Sequence, residues 1–344
     1  MTQNSVLLIY TGGTIGMKED PELQALRPFD FSGIMDEVPE LRKFALRIDS
    51  FTFDPLIDSS DVEPSMWRQL AVLIREKYDS YDGFVILHGT DTMAYSASAL
   101  SFMLEGLGKP VIFTGSQLPI GRPRTDGKEN LISSVEIATA KGPDGEPLVP
   151  EVCIFFNSKL FRGNRCTKFS STAFDAFCSP NYPALAEAGI SIEYNTKHIG
   201  WKGSYSGPLK LHTTLDTSVS IMKVHPGITE NVARNCLLGK GIKACIIETY
   251  GSGNSISKKW FTDIIREAVD EGRILLNVTQ CLSGEVNMDI YATGRALKDA
   301  GVISGGDMTT ESALGKLFVL LGEHSDNEEV KTLLSQSLRG EMSK

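Results

Sequence analysis

The feature that most constrains this chain is an alternation of short apolar runs with segments of helical periodicity. Four runs in the first half predict strands: SVLLIY (5–10), FVILH (84–88), PVIFTG (110–115) and EVCIFF (151–156). Polar residues do not interrupt these runs, and amphipathic patterns separate them, which is typical of a parallel sheet covered by helices on both faces. The first half therefore predicts a doubly wound α/β domain.

The pattern fades near residues 191–214, where Gly, Ser, Lys and His are frequent, and this composition favours a linker. Alternation then resumes, with strands predicted at SVSIMKV (218–224), KACIIET (243–249) and RILLNV (273–278). We expect a larger N-terminal domain over 1–190 with a mainly parallel, doubly wound sheet. A smaller C-terminal α/β domain is expected over 215–344.

Composition and charge exclude several classes of protein. Lys and Arg total 34 against 43 Asp and Glu, a net charge of −9, so binding to nucleic acid or an anionic membrane is not expected. No apolar stretch is long enough for a signal sequence or a membrane span. The six cysteines form no C-x-x-C pair, which predicts reduced thiols, no metal site and a cytoplasmic location. No cofactor motif is present.

Hydroxyl and acidic residues gather just after the predicted strands. They form TGGT (11–14), DSSD (58–61), HGTDT (88–92) and TGSQ (114–117). In an open parallel sheet, ligands bind outside the carboxyl ends of the strands, so these four segments are candidates for one site.

Each segment also has a purely structural interpretation. TGGT matches neither a dinucleotide fingerprint nor a Walker A loop, and its glycines suit a simple turn. HGTDT and DSSD suit helix N-caps as well as ligand contacts, because Ser, Thr and Asp accept backbone N–H bonds. Ser and Asp together also suit the carboxylate and ammonium of an amino acid. Lys168 is either a solvated charge or a partner that helps deprotonate a hydroxyl.

Taken together, the motifs resemble the bacterial-type L-asparaginase family, and most closely its cytoplasmic type I branch. The resemblance rests on TGGTIGM (11–17), HGTDTMAYSASALSFM (88–103) and the segment 157–186, and in the second half on VHPGIT, ETYGSGN, TQCLSGEVNM, residues 291–314 and LRGEMS. These segments cover nearly the whole chain in order.

The resemblance implies hydrolysis of L-asparagine to L-aspartate and ammonia by a homodimer or homotetramer. Thr14 resembles the nucleophile, and Thr90, Asp91 and Lys168 resemble a second catalytic set. The residues that resemble substrate-binding groups are Asp58, Ser59, Ser60, Thr90, Asp91 and Ser116. Whether Thr14 attacks the amide or a water bound to Thr90 does so is left open by the sequence.

The segment KEDPELQALRPFD (18–30) departs from the family pattern. A tyrosine usually lies in this lid and helps to activate the nucleophile, but here no tyrosine occurs between Tyr10 and Tyr78. The acidic lid residues Glu19, Asp20 and Glu22 are most simply solvated charges. The group that accepts the first proton is therefore unassigned.

A second departure concerns regulation. Some type I relatives bind an additional asparagine at a separate site, and Thr167 and Cys281 match that site. The family pattern has an arginine at this site, where it binds the carboxylate of the effector, but this chain has Glu248 there. A negatively charged side chain therefore replaces the positively charged one. The nearest cations in sequence are Lys243 and Arg165. We expect weak allostery or none.

Other functions remain compatible with the residues. Asparagine and glutamine differ by one methylene, so a glutaminase-asparaginase of mixed specificity is an alternative. An amidase subunit that feeds ammonia to a tRNA-charging complex would need an extra domain, for which the chain has no spare length. A non-catalytic amino-acid sensor would bind asparagine without releasing ammonia.

Overall fold

The computed structural model describes residues 3–20, 25–28, 33–200 and 207–343. Contacts divide the chain into two compact units, the first ending at Leu211 and the second beginning at His212.

The strands of the first unit are β1 (Ser5–Tyr10), β2 (Met17–Asp20), β3 (Ala25–Pro28), β4 (Arg47–Thr52), β5 (Gly83–Leu87), β6 (Leu104–Glu105), β7 (Val111–Thr114), β8 (Val152–Phe156), β9 (Lys159–Arg162), β10 (Thr167–Lys168), β11 (Phe177–Cys178), β12 (Ala186–Ala188), β13 (Ile192–Tyr194) and β14 (Lys210–Leu211). Its α-helices are α1 (Ile34–Glu37), α2 (Pro64–Lys77), α3 (Met93–Met103) and α4 (Gly127–Ala138). Short 3-10 turns lie at Thr14–Gly16, Pro39–Lys43, Ser59–Asp61, Tyr78–Ser80 and Gly163–Arg165.

The second unit contains β15 (Val219–Lys223), β16 (Ala244–Thr249), β17 (Ile274–Thr279) and β18 (Ile303–Ser304). Its α-helices are α5 (Glu230–Leu238), α6 (Lys259–Asp270), α7 (Ala292–Asp299), α8 (Thr310–Glu323) and α9 (Asn327–Leu334).

The first unit is built on an eight-stranded sheet with the order β13-β12-β9-β8-β7-β5-β1-β4. Neighbouring strands pair parallel along the row β4, β1, β5, β7 and β8. Neighbouring strands pair antiparallel along the row β8, β9, β12 and β13. Every residue of β1, β5, β7 and β8 is buried, which explains the uninterrupted apolar runs. The predicted mainly parallel α/β sheet is confirmed.

Strand β4 was not predicted, although it pairs with β1 along its full length. Most of its side chains are at least partly exposed at the edge of the sheet, so RIDSFT carries little of the apolar signal of a central strand. The two short sheets β10–β11 and β6–β14 were missed for a different reason, because two residues per strand are too few to form a pattern.

The domain boundary differs from the expected linker over 191–214. Ile192–Tyr194 pairs with Ala186–Ala188, and Lys210–Leu211 pairs with Leu104–Glu105, so both segments belong to the first unit. Residues 201–206 of the expected linker lie outside the described residues. The first pairing is a local hairpin of two short strands, and the second joins segments far apart in the chain. Neither is indicated by the polar, Gly-rich sequence, which by itself resembles a linker.

The second unit is a four-stranded parallel sheet with the order β15-β16-β17-β18. One face packs against α5, α6 and α7 through residues such as Leu237, Phe261 and Leu297. The other face packs against α8 and α9 through residues such as Leu317 and Leu334. In the part of the chain that the structure describes, no helix has the length and apolarity needed to cross a membrane.

A buried ion pair holds the C-terminal segment to the second unit. Lys316 Nζ lies 2.7 Å from Glu341 Oε1, and neither side chain is exposed. The same ammonium donates to the Leu334 and Gln336 carbonyls at 3.0 and 2.5 Å. Glu341 also accepts backbone N–H bonds within its own turn. Both charges are thus compensated without water.

We predict that Lys316→Met lowers the free energy of unfolding by roughly 3–5 kcal/mol, because it leaves the Glu341 carboxylate buried without its counterion. Adding Glu341→Gln should recover part of that loss, since the amide removes the uncompensated charge and keeps an acceptor oxygen. Urea unfolding monitored by circular dichroism measures both. If the second substitution adds to the loss instead, the charge pair is not what holds this segment.

Candidate active site

The backbones of Gly13 and Gly89 touch where β1 and β5 end. Gly12 and Gly13 have φ values of 135° and 93°, which L side chains rarely adopt. A Cβ added to Gly13 would lie 2.5 Å from the Gly89 nitrogen, and one added to Gly12 would lie 2.1 Å from the Ile57 carbonyl oxygen. Both glycines are therefore required by the backbone conformation and by the close approach.

Backbone bonds fix this contact. Thr11 donates from its amide and from its hydroxyl to the Leu87 carbonyl, both at 3.0 Å, and its own carbonyl accepts from Ile57 N at 2.9 Å. Thr14 and Thr90 each follow one of the touching glycines, Gly13 and Gly89, so the two threonines lie on adjoining turns. Thr14 begins a 3-10 turn and is partly exposed.

Lys168 completes the second predicted set. Its Nζ donates to Thr90 Oγ1 at 2.8 Å and to Asp91 Oδ1 at 2.7 Å. The lysine side chain is 17% exposed and the aspartate 63%, so a largely covered cation faces a solvent-accessible carboxylate. Strand β10 places the lysine here by pairing with β11, where Lys168 lies opposite Phe177. The sequence did not indicate this pairing.

Ser59 lies against the turn that carries Thr90. Its Oγ accepts from Asp91 N at 3.3 Å, and its carbonyl accepts from Thr92 Oγ1 at 2.6 Å. A Cβ on Gly89 would lie 2.4 Å from the Ser59 hydroxyl, so this approach also requires glycine. DSSD and HGTDT, two of the segments expected to serve one site, are thus in contact.

Asp58 and Ser60 contact each other within DSSD. Ser60 donates to Asp58 Oδ1 from its amide at 2.9 Å and from its hydroxyl at 2.8 Å. These bonds lower the pKa of the Asp58 carboxyl. The Asp58 side chain therefore caps the short Ser59–Asp61 turn and stays ionised. The structural interpretation of DSSD as the cap of the helix at Pro64 is wrong, because Glu63 occupies that N-cap position and makes no side-chain cap bond.

The segment TGSQ contributes a residue that the sequence analysis did not select. Ser116 is buried, and its hydroxyl donates to the Leu118 carbonyl at 2.6 Å, within its own loop. Gln117 Oε1, by contrast, lies 3.5 Å from Thr90 Oγ1, while its Nε2 donates to the Ala173 carbonyl at 2.9 Å. Gln117 thus links the Thr90 hydroxyl to the segment after Lys168. The sequence signal that could have identified Gln117 is its position in TGSQ, directly after a strand.

His88 was also overlooked, although it begins the HGTDT motif. Its Nδ1 lies 2.6 Å from the Gly89 carbonyl, and its Nε2 lies 3.0 Å from Ser96 Oγ. The same Ser96 oxygen accepts from Trp67 Nε1 at 2.8 Å and donates its own proton to His88 Nε2. A neutral ring that donates from Nδ1 satisfies all three contacts. Complete burial lowers the pKa of His88 to about 4, which keeps the ring neutral.

Of the lid segment 18–30, residues 21–24, 29 and 30 lie outside the described residues. Glu22 lies outside them, and of Glu19 and Asp20 the structure describes only the backbone, in β2. Strands β2 and β3 pair antiparallel, so the ends of the lid form a ribbon directly after the Thr14 turn. The absence of a lid tyrosine is a fact of the sequence, and it stands.

Of the three residues predicted for a second asparagine site, Glu248 and Cys281 belong to the second unit and Thr167 belongs to the first. The Glu248 carboxylate accepts from Thr310 Oγ1 at 2.7 Å and lies 3.8 Å from Lys223 Nζ. Cys281 is exposed and follows the adjacent strand β17. Glu248 is therefore engaged within its own unit.

The cations named as substitutes for the missing arginine are engaged elsewhere. Lys243 pairs with Asp216 at 2.7 Å, and Arg165 is buried in the first unit. Lys223, which the sequence analysis did not consider, is the cation beside Glu248.

The site at the ends of β1 and β5 contains hydroxyls, a lysine-linked carboxylate and backbone amides, the groups that acyl transfer requires. Within the described ranges, no group of three or more His, Cys, Asp or Glu side chains is arranged to hold a metal ion.

Comparisons with known proteins agree with the motifs. The family model described as asparaginase, N-terminal, matches residues 5–200, and that of the glutaminase/asparaginase C-terminal domain matches residues 218–334. The chain is 46% identical over 349 aligned positions to L-asparaginase 1 of Escherichia coli K12, covering 99% of both chains.

Two solved structures are similar over nearly their whole length. The structure of L-asparaginase I from Vibrio cholerae superposes with a TM-score of 0.89 at 43% identity and covers 100% of each chain. The thermostable L-asparaginase of Thermococcus kodakarensis gives a TM-score of 0.88 at 31% identity and covers 99% of each chain.

We predict that His88 makes the folded state acid-sensitive. Its pKa falls from the usual 6.5 to about 4 in the folded chain, so between these values the unfolded chain binds the extra proton. Stability is unaffected above about pH 7 and decreases as the pH falls, by roughly 2–3 kcal/mol near pH 4.5. The His88→Gln variant should lose less stability over this range than the parent. Urea unfolding of both proteins at about pH 7 and about pH 4.5 measures these losses. An equal loss of stability in the parent and in His88→Gln between the two pH values would contradict the prediction.

Proposed function

The chain belongs to the asparaginase family, and from that premise we propose that it hydrolyses L-asparagine to L-aspartate and ammonia, with Thr14 as the nucleophile. The observation that carries the proposal is the contact of Lys168 with both Thr90 and Asp91. This contact lies on the turn whose glycine touches the turn of Thr14.

A covalent mechanism with Thr14 as the nucleophile suits the side-chain amide of asparagine, which is a poor electrophile. In the first step, Thr14 Oγ1 attacks the side-chain carbonyl carbon of asparagine and forms a tetrahedral intermediate. The C–N bond then breaks, the nitrogen leaves as ammonia after protonation, and an aspartyl ester remains on Thr14. Water attacks the ester in the second step and releases aspartate. The amide N–H groups of the glycine-rich turn and of Thr90 are the proposed donors to the developing oxyanion.

Lys168 sets the direction of the Thr90 hydroxyl. Because the ammonium donates to Thr90 Oγ1, that oxygen acts as an acceptor and its own proton is free to point to Gln117 Oε1, 3.5 Å away, or to a reacting group. The nearby positive charge also makes the hydroxyl a better proton donor. We propose that Thr90 gives its proton to the leaving nitrogen and takes up the proton that Thr14 releases on attack, so that neither threonine is left charged.

The carboxylates around this set suit the α-ammonium of the substrate. Asp58 is ionised because Ser60 donates to it twice, and Asp91 is more than half exposed beside Lys168. The Ser59 hydroxyl, at the Thr90 turn, is the proposed donor to the α-carboxylate. Ser60 and Ser116 are engaged within their own loops, so we assign them to shaping the pocket.

We also propose a cytoplasmic location and a homodimeric or homotetrameric assembly. All six cysteines lie in the described part of the chain and are free thiols, which is typical of reducing compartments. Leu282, Ile290 and Tyr291 of the second unit are exposed apolar side chains, which suit contact with another copy.

We predict that the purified protein releases ammonia from asparagine and that Thr14→Ala lowers kcat by more than about 100-fold, as expected for loss of the nucleophile. Lys168→Met should lower kcat comparably, because it removes the charge that orients Thr90. Lys141→Met is the matched control, since Lys141 pairs with Asp82 at 3.3 Å, beside the N-terminal end of β5. It should leave kcat unchanged.

A coupled ammonia assay with asparagine and glutamine measures these effects, and circular dichroism shows that each variant is folded. Near-full activity of Thr14→Ala would show that water bound to Thr90 attacks directly. Binding of asparagine without ammonia release would identify a sensor, and equal kcat/KM for the two amides would identify an enzyme of mixed specificity.

We predict hyperbolic or only weakly cooperative saturation by asparagine. Cooperativity requires an effector that binds one quaternary state better than another. At the candidate effector site, the Glu248 carboxylate would face the effector's own carboxylate, and Lys223 is already beside Glu248. Initial rates over an asparagine titration give the Hill coefficient. A clearly sigmoidal curve that becomes hyperbolic in Lys223→Met would show that Lys223 supplies the clamp.

A further inference from the structure

We propose that Tyr10 is a positioning residue for Thr14: its buried hydroxyl and ring hold the turn that presents the nucleophile. The proposal rests on the proposed function of Thr14. It concerns a group that lies beneath the turn and does not touch the substrate.

The first observation is a hydrogen bond to the peptide that precedes Thr14. Tyr10 is the last residue of β1 and has no exposed surface, and its Oη donates to the Gly13 carbonyl at 3.3 Å. The carbonyl of Gly13 and the amide N–H of Thr14 belong to one planar peptide group. A donor that fixes the carbonyl therefore also fixes the direction of the Thr14 N–H and restricts the backbone rotation that places the Thr14 side chain.

The second observation is a contact between the Tyr10 ring and the far end of the same turn. A Cβ added to Gly16 would lie 2.2 Å from Tyr10 Cζ and 2.3 Å from its hydroxyl oxygen. The phenol therefore occupies the space that any side chain at position 16 would need. The turn Thr14–Gly16 is held by Tyr10 at both ends, through a hydrogen bond at Gly13 and through packing at Gly16.

The ring itself is fixed by the core. Tyr10 belongs to the same buried core cluster as Val6 and Leu8 of its own strand and as Ile15 and Ile34. A side chain with two rotatable bonds, locked in a close-packed core, provides a rigid support. This rigidity matters because a nucleophile displaced by about 1 Å can lose roughly 100-fold in rate.

Proton chemistry does not explain this arrangement. Burial raises the pKa of Tyr10 to about 12, so the phenol remains a donor over the working pH range. Tyr10 therefore does not take over the role of the tyrosine that the lid lacks. Its contribution is geometric, and the two roles predict different pH profiles.

Tyr10→Phe tests the hydrogen bond alone, because the ring is kept. We expect kcat to fall by about 3- to 10-fold, in proportion to one hydrogen bond, with KM within about twofold and the pH–rate profile unchanged. Hydrogen exchange of the peptide spanning residues 11–17 should become faster. Tyr78→Phe is the matched control: Tyr78 Oη accepts from Gly108 N at 2.7 Å, near the N-terminal end of β5. It should change neither kcat nor exchange at residues 11–17.

Gly16→Ala tests the packing contact. The added methyl must displace the phenol, and we expect kcat to fall by roughly 30-fold or more. The double variant Tyr10→Ala/Gly16→Ala creates the space that the methyl needs, so it should regain roughly tenfold over Gly16→Ala alone. If the double variant does not fold, the Tyr10→Phe experiment still decides the proposal.

Three outcomes overturn the proposal. Parental kcat and parental exchange in Tyr10→Phe would show that the hydroxyl holds nothing. A shifted pH–rate profile would show that it moves a proton, and an equal loss in Tyr78→Phe would show a general loss of stability. If the parent protein releases no ammonia from asparagine, the proposed function fails, and the exchange measurement alone decides whether Tyr10 holds the turn.

Discussion

The site depends on one steric constraint, the contact of two backbones between the ends of neighbouring parallel strands. Gly13 lies so close to Gly89 that a single Cβ on either turn would separate them or displace Ser59. Because β1 and β5 are hydrogen-bonded along their length, their carboxyl ends cannot move apart independently. The approach brings two threonines, Thr14 and Thr90, onto adjoining turns, and the proposed chemistry needs both.

The charged groups of the site lie at the surface of this backbone arrangement, and the groups buried beneath it are uncharged. Lys168 reaches Thr90 and Asp91 from a two-stranded ribbon outside the main sheet, and Asp58 is held ionised by its own turn. The buried groups beneath are neutral: His88 and Tyr10 have pKa values that keep them uncharged at neutral pH. Charge is thus placed where substrate can reach it, while neutral hydrogen bonds hold the backbone that carries it.

Much of the fold could be predicted from the sequence because the central strands are buried on both faces. Such strands read as uninterrupted apolar runs, and SVLLIY and KACIIET form β1 and β16 as expected. The exposed edge strand β4 carries no such signal. The pairing of residues 192–194 with β12 was missed because each strand has only three residues, too few to form a pattern. Local pattern therefore predicts central elements and fails at edges.

The sequence by itself determined which residue types are available to the site: TGGT, DSSD, HGTDT and Lys168, each at or beyond the end of a strand. Only the tertiary structure decided which of them meet. It gave Lys168 its partners, confined Ser60 and Ser116 to their own loops, and placed Gln117 near Thr90. It also placed Tyr10 beneath the Thr14 turn. The physical reason is that a motif records neighbours along the chain, whereas hydrogen bonds and steric contacts depend on distances between segments that only folding brings together.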